Sequence, residues 1–364
     1  MSHHNRFLSG VSIFSYLYIK YQDMSGQKRS ALMVILLLFS YLLNGQDIHY
    51  SQFMSSPLNL NPACAGFFNG NYRLSLNGKN QWQAVTRPYQ TLSLGFDMSP
   101  IQRRYHRDAF GMGLLINADI AGDSKFSTTS PSLMFSYIRS LNRRSSHMLS
   151  VGLMAGWVFR TIQYDNLYFD NQYNGSYYDP TLGSQEDFLL RNYNYFDLGT
   201  GLHWHYQLSR EKNVYAGLSA MHLLKPKQSF MGDGAIRLDM KWTGYAGAVI
   251  DFSQSVDLMP QLLFLKQGVY REVLLGVMAK YIRNRYSPAE FTALSAGIFY
   301  RNRDAMVFMT GFDYKGFTFG LSYDMNVSKL KPASYYRGGL EFSLTYTYSK
   351  FKHKRRKEIP CPIF

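Results

Sequence analysis

Leu340-Glu-Phe-Ser-Leu-Thr-Tyr-Thr-Tyr348 alternates without a break: Leu340, Phe342, Leu344, Tyr346 and Tyr348 fall on one face of an extended chain, and Glu341, Ser343, Thr345 and Thr347 on the other. Successive side chains of a strand point to opposite faces, so this segment has two very different neighbours. A tilted strand of about ten residues crosses the hydrocarbon core of a bilayer, and in a closed barrel one face meets lipid while the other lines a polar interior. The same period recurs from Asn71 onward, around Leu92, Leu94 and Phe96, around Phe110, Met112, Leu114 and Ile116, around Leu149, Val151 and Leu153, and around Phe196, Leu198, Leu202, Trp204 and Tyr206. Later segments follow at residues 242–250, 273–281, 291–300, 306–312 and 317–323. About fourteen strands fit before Tyr348, an even number as in single-chain bacterial barrels. The expectation is an all-β fold, a transmembrane antiparallel β-barrel. Glycines at 95, 111, 113, 152, 201, 217, 244, 247, 276, 297 and 320 sit inside these segments, where a curved wall uses them.

Composition agrees. Tyr (29) and Phe (26) are abundant among the 364 residues, and charged residues, at 17%, are few for a soluble domain. A mean hydropathy of −0.23 argues against a helical membrane protein. In a barrel, a polar lumenal residue follows each lipid-facing one, which keeps the average near that of soluble proteins. The length admits one barrel or two soluble domains, and no linker favours two.

The N-terminus reads as an address. Lys28 and Arg29 precede the apolar run 31–43, too short for a spanning helix and suited to the h-region of a signal peptide. Cleavage is expected near Gly45/Gln46 with Leu43 at the −3 position, and Met24 offers an alternative start; the competing reading is a buried N-terminal helix. The expected organisation is a presequence at 1–45, an N-terminal periplasmic or lumenal segment at 46–70, the barrel at 71–349 and a basic periplasmic tail at 350–364. In the last strand Arg337, Gly339, Phe342 and Leu344 have a polar, glycine, apolar, apolar spacing that resembles the insertion signal of outer-membrane barrels, whereas Pro360 and Pro362 argue against a strand ending at Phe364.

With both termini in the periplasm, the connections sort into two sets. Outer loops fall at 80–88, 119–125, 161–191, 221–237 and 325–336. The longest carries Tyr164, Asp165, Tyr168, Asp170, Tyr173, Tyr177, Tyr178 and Asp179, a composition suited to polar surface contact. The other set holds Arg103, Arg104 and Arg107, then Arg139, Arg143 and Arg144, then Arg283 and Arg285, and in the tail Lys354, Arg355 and Arg356. This basic rim can grip outer-membrane lipid headgroups or an acidic protein partner, or consist simply of solvated turns. The formal charge of +15 falls by three once Arg6, Lys20, Lys28, Arg29 and Asp23 leave with the presequence. Export into a membrane makes nucleic acid an unsuitable partner despite that charge.

Motifs of chemistry are missing: the sequence has no Gly-x-Ser-x-Gly elbow, phosphate-binding Gly-x-x-x-x-Gly-Lys loop or His-Glu-x-x-His helix. His203 and His205 share a strand face, but two histidines without a third ligand do not make a zinc site, and no cofactor is expected. Cys64 and Cys361 are the only cysteines; both are expected on the oxidising periplasmic side, where a disulfide between them is possible.

The segment ahead of the first strand is the most specific: Gln46-Asp-Ile-His-Tyr-Ser-Gln-Phe-Met-Ser-Ser-Pro-Leu-Asn-Leu-Asn-Pro-Ala-Cys-Ala-Gly66, followed by Trp82 and Pro88-Tyr-Gln-Thr91. It resembles the start of the PorP/SprF family of type IX secretion system membrane proteins, with Tyr50, Gln52, Pro57, Asn61, Pro62, Ala63, Ala65 and Gly66 matching and Cys64 standing where an aromatic is usual. Gly320-Leu-Ser-Tyr-Asp-Met-Asn-Val-Ser-Lys-Leu330, Gly338-Gly-Leu-Glu-Phe-Ser-Leu344 and the closing Cys361-Pro-Ile-Phe364 also resemble that family. The resemblance implies a non-enzymatic outer-membrane barrel that works with type IX machinery and partners a secreted or surface-anchored cargo protein, for some members a gliding adhesin, through the cargo's C-terminal domain. The alternative is a porin-like barrel carrying a solute or hydrophobic compound.

Overall fold

Inside a bilayer every backbone N–H and C=O must find a partner within the protein, and an open sheet would leave two unpaired edges in hydrocarbon. The chain meets this demand by closure. The structure, a computed structural model, describes residues 47–81, 89–99, 108–142, 146–175, 177–179, 181–184, 190–209, 212–230, 236–283, 291–328 and 337–349.

Fourteen antiparallel strands follow one another around a closed barrel: β1 Tyr72–Gln81, β2 Tyr89–Met98, β3 Asp108–Ala121, β4 Phe126–Ser140, β5 His147–Thr161, β6 Asn192–Gln207, β7 Asn213–Met221, β8 Lys241–Ser253, β9 Val256–Gln267, β10 Tyr270–Arg283, β11 Thr292–Arg301, β12 Ala305–Tyr314, β13 Phe317–Asn326 and β14 Arg337–Tyr348. β14 returns to β1 in a seam that sets Tyr72 opposite Tyr348 and Asn80 opposite Leu340. The all-β barrel and its strand number are those expected from the sequence.

Alternation becomes two environments. On β14, Leu340, Phe342 and Tyr348 are exposed outward, while Glu341 and Ser343 are buried inward. The same outward face carries Leu94, Leu114, Leu133 and Ile298 around the belt, with Tyr72, Phe110, Tyr281, Tyr314 and Tyr348 towards one end and Trp157, Phe159, Trp242, Tyr300 and Tyr323 towards the other. An apolar band between two aromatic girdles is the lipid-facing surface of an outer-membrane barrel.

The two ends differ. Where β14 finishes, connections are tight, as in the two-residue turns 254–255 and 315–316; at the opposite end β5 and β6 are separated by residues 162–191 and β7 and β8 by residues 222–240. Short turns belong to the periplasmic side and long loops to the outside. In the long outer loop, Tyr173 bridges Tyr178, the Tyr168 and Tyr178 rings meet edge-on at 4.7 Å, and Tyr168, Tyr173 and Tyr177 are exposed. Its base is held by Arg191 on Asp165 at 3.1 Å.

Arg139 and Arg283 stand exposed at the inner end, Arg139 lying 3.8 Å from Asp108. Arg103, Arg104, Arg107, Arg143, Arg144, Arg285, Lys354, Arg355 and Arg356, the presequence and Cys361 lie outside the described residues.

Leu114→Arg, in the middle of β3 on the lipid face, is expected to cost about 2–4 kcal/mol, read as a lowered urea midpoint for unfolding from liposomes.

Candidate functional site

The lumen holds a segment of the chain itself. Residues 47–70, the strap, run through it as three short turns: a 3₁₀ turn at Phe53–Ser55, one α turn at Pro57–Leu60 and a 3₁₀ turn at Pro62–Cys64. Local chemistry sets each turn. Pro57 and Pro62 occupy first helical positions, where a missing N–H costs nothing. Asn61 is extended and caps the last turn, its Oδ1 accepting from the Ala63 N–H at 2.8 Å. Gly66, at φ +66°, makes the left-handed bend that brings the chain out towards β1.

The strap's apolar side chains divide between two walls. Phe53, Leu60 and Cys64 pack with Tyr215, Tyr245, Leu263, Leu274 and Phe299, whereas Leu58 and Ala65 pack with Leu115, Met134, Met154 and Met221. Burying Phe53, Leu58 and Leu60 contributes about 1.5–3 kcal/mol each. On one side the wall is made of glycine and serine, which leaves room for a second layer of chain. A Cβ on Gly152 would overlap the Ala63 backbone, one on Gly111 the Ala65 carbonyl and one on Gly201 the Asn61 side chain, while Gly95, Gly113 and Gly320 face Leu58 or Gln52. These six glycines, expected from sequence to serve wall curvature, instead make space for the strap.

Much of the recognition is directed at the strap's backbone. Ser219 Oγ donates to Leu60 O at 2.8 Å, Ser150 Oγ to Ala63 O at 2.7 Å and Ser136 Oγ to Ala65 O at 2.6 Å. Lys79 donates to His49 O, Lys241 to Ile48 O and Arg73 to Cys64 O. Carboxylates take the N–H groups: Glu341 accepts from Ser51 at 3.0 Å and Gln52 at 3.1 Å, and Asp97 from Gly66 at 2.8 Å. Asn61, fully buried, reads the wall in return by donating Nδ2 to Leu202 O at 2.8 Å.

Charge concentrates in the outer half. Arg301 pairs with Asp324 at 2.7 Å and with Glu272 at 3.4 Å, contacts Ser51 Oγ, and reaches Asp304 at 3.1 Å. Lys79 lies 3.0 Å from Glu341, and His49 3.4 Å from Glu272. Removing one member of such a buried set strands the rest, at about 3–5 kcal/mol. At the outer mouth His222 stands between Asp197 at 2.9 Å and Asp47 at 3.2 Å, with Lys241 also 3.2 Å from Asp47. Burial opposes ionisation of both Asp47 and His222. Lys241 and His222 nevertheless hold the Asp47 carboxyl well below its usual range, and the two carboxylates raise His222 to about 9.

The strap has a direction. Lys241 begins β8, Gln267 ends β9 and accepts from the Asp47 N–H at 3.2 Å, and His222 follows β7, so residue 47 lies at the outer end. Asn71, by contrast, donates to Tyr348 O at the inner end at 2.7 Å. The strap therefore starts at the outer mouth and descends through the lumen to β1. Of its two expected positions, periplasmic or lumenal, the strap takes the lumenal one.

Tyr50, Gln52, Asn61, Pro62 and Gly66 all belong to the strap. Tyr50 bonds Ser93 at 2.7 Å, and Gln52 bonds Ser322 at 3.0 Å and Ser343 at 2.8 Å. Cys64 is buried 3.2 Å from the Tyr245 hydroxyl and has no disulfide partner among the described residues. His203 and His205 both meet the Phe67 ring, at 4.6 and 5.8 Å, and His203 Nδ1 lies 2.8 Å from the Tyr245 hydroxyl. Among the described residues no group of three or more His, Cys, Asp or Glu could hold a metal ion. Sequence reasoning missed the wall residues Lys79, Asp97, Ser136, Ser150, Ser219, Glu272, Arg301 and Asp324. The signal was available: charged and small residues at lumenal positions of an otherwise ordinary alternation. Between strap and wall, a cavity of about 30 Å³ lined by His49, Tyr50, Phe53, Leu60, Lys241 and Leu263 holds room for water.

An aromatic-girdled barrel with a segment of its own chain in the lumen is a barrel of the bacterial outer membrane. The sequence pattern of the family described as type IX secretion system membrane protein PorP/SprF matches residues 42–346, and the chain belongs to that family. No curated protein matches it in sequence. Solved structures of similar outline include the CymD monoaromatic hydrocarbon channel, 16% identical over 82% of this chain and 94% of that one with a TM-score of 0.47. The Ralstonia pickettii toluene transporter TbuX is 11% identical over 80% and 92% with a TM-score of 0.45, and a Pseudomonas aeruginosa FadL homologue is 12% identical over 79% and 92% with a TM-score of 0.44.

Two tests address the strap. Gly152→Ala is expected to weaken its seating by about 1–3 kcal/mol, seen as faster hydrogen exchange of the residue 58–66 amides in a barrel that still migrates as folded. Against the effect of burial, Asp197 on the wall and Asp47 on the strap together raise the His222 pKa, so the attraction between His222 and Asp47 is present while His222 is protonated and is lost as pH rises through about 9. Protease release of the strap should therefore increase from pH 7 to 10 in the parent chain, and a His222→Gln variant should abolish that dependence.

Proposed function

We propose that this chain serves the type IX pathway as a non-enzymatic outer-membrane partner barrel, holding a secreted or surface-anchored cargo protein through the cargo's C-terminal domain. Family membership supports the pathway. The observation that carries the role is the strap: with Ser51 and Gln52 fixed on Glu341 and Asn61 fixed on the wall, the barrel offers a capped outer face rather than a conduit. Above that cap stands the loop with Tyr168, Tyr173 and Tyr177 exposed beside Asp165, Asp170 and Asp179. Tyrosine supplies large contact area at low entropic cost together with a polar tip, which suits a protein surface better than a small solute. Gliding adhesins are one class of cargo that such a face serves. The basic inner rim, which includes Arg139 and Arg283, is available to acidic periplasmic components of the machinery.

A tagged chain purified from detergent-solubilised outer membranes is expected to bring down a large cargo protein with a type IX C-terminal domain, identified by mass spectrometry. Shortening the 162–191 loop should remove the cargo and leave barrel yield unchanged. Recovery of the barrel alone, with solute conductance in planar bilayers, would replace this reading with that of a transport barrel.

A further inference from the structure

We infer that the processed amino end of this protein is displayed on the cell surface, having passed through its own barrel. The inference rests on removal of the presequence near Gly45/Gln46 and on the direction of the strap. Three contacts at the top of three different strands fix residue 47: its N–H on Gln267 Oε1 at 3.2 Å, and its carboxylate on Lys241 and on His222, each at 3.2 Å. One residue further in, Lys241 Nζ takes Ile48 O at 2.6 Å. Gln267, Lys241 and His222 belong to the end that carries the long loops. Asp47, the first described residue, is therefore held at the outer mouth of the lumen.

The opposite threading is excluded by the rest of the strap. Gly66 N–H on Asp97 and Asn71 N–H on Tyr348 O hold its carboxyl end at the inner mouth, and the residues between are fixed at successive depths by Ser51 on Glu341, Asn61 on Leu202 and Ala63 on Ser150. An exported chain meets the barrel-assembly side of the membrane first, so its amino end reaches the outside only by way of the lumen. Once there, it shares the outer face with the tyrosine loop. A partner resting on that face meets the free end of the plug directly, and any pull on that end acts first on the Asp47, His222 and Lys241 clasp.

The test is an epitope inserted between Gln46 and Asp47, probed with antibody on intact cells. The same epitope at Gly175, which has open space around it in the long loop, and in the turn at Gln254 and Ser255 fixes the orientation of the barrel. Labelling of intact cells at 46/47 and at Gly175, with none at the inner turn until the membrane is permeabilised, is the expected result. Labelling at Gly175 but not at 46/47 would overturn the inference and leave the barrel's orientation standing. Labelling at the inner turn but not at Gly175 would overturn the orientation itself. Should the epitope block assembly, a single cysteine inserted between Gln46 and Asp47 in a Cys361→Ser chain, treated with a membrane-impermeant maleimide, gives the same answer, because Cys64 is buried. Intact mass of the purified chain supplies the last arm, since retention of residues 1–45 would also overturn it.

Discussion

A barrel of fourteen strands encloses more space than its own inward side chains can fill. Everything inside this protein follows from how that volume is used. Left to water, it would be a pore; here it holds residues 47–70 of the same chain. A chain segment placed in a lumen brings its own unpaired amides and carbonyls, each costly to bury without a partner. The wall therefore supplies hydroxyls for Leu60, Ala63 and Ala65 carbonyls and carboxylates for Ser51, Gln52 and Gly66 amides.

The strap is held by different kinds of side chain at different heights. Its lower half is gripped through main-chain atoms by serines set among glycines, an arrangement tolerant of side chains only if they are small, as Ala63 and Ala65 are. Its upper half is gripped through charge, where Arg301 and Lys79 pair with the carboxylates of Glu272, Asp324 and Glu341 around Ser51 and His49. Breaking a buried ionic set costs much even where forming it gains little. Such a set fixes position more than it adds stability, and here it fixes the depth of the strap.

The barrel was legible because its code is redundant. Fourteen segments repeat one alternation, and the residues of β14 alone, Leu340 to Tyr348, state which face meets lipid. The strap was legible only as a motif. Asn61, Pro62 and Gly66 announce turns, but turns carry no address, and the same residues suit a periplasmic cap as well as a lumen. Its direction depends on pairings such as Asp47 with Lys241 and His222, 194 and 175 residues away in sequence, which no local pattern encodes. The glycines were read as bends because a glycine in a strand has two physical uses, and the choice between them depends on what lies opposite.

The seam between β1 and β14 involves the strap. Lys79 on β1 and Glu341 on β14 face each other across the last pair of strands to meet, and the same carboxylate holds the Ser51 and Gln52 amides. A growing sheet that has not yet closed leaves Glu341 without its β1 partner, and a strap not yet seated leaves it without its amides. Pairing of the final strand and docking of the strap thus draw on one carboxylate, so each strengthens the other. The seam and the segment inside it are coupled through Glu341.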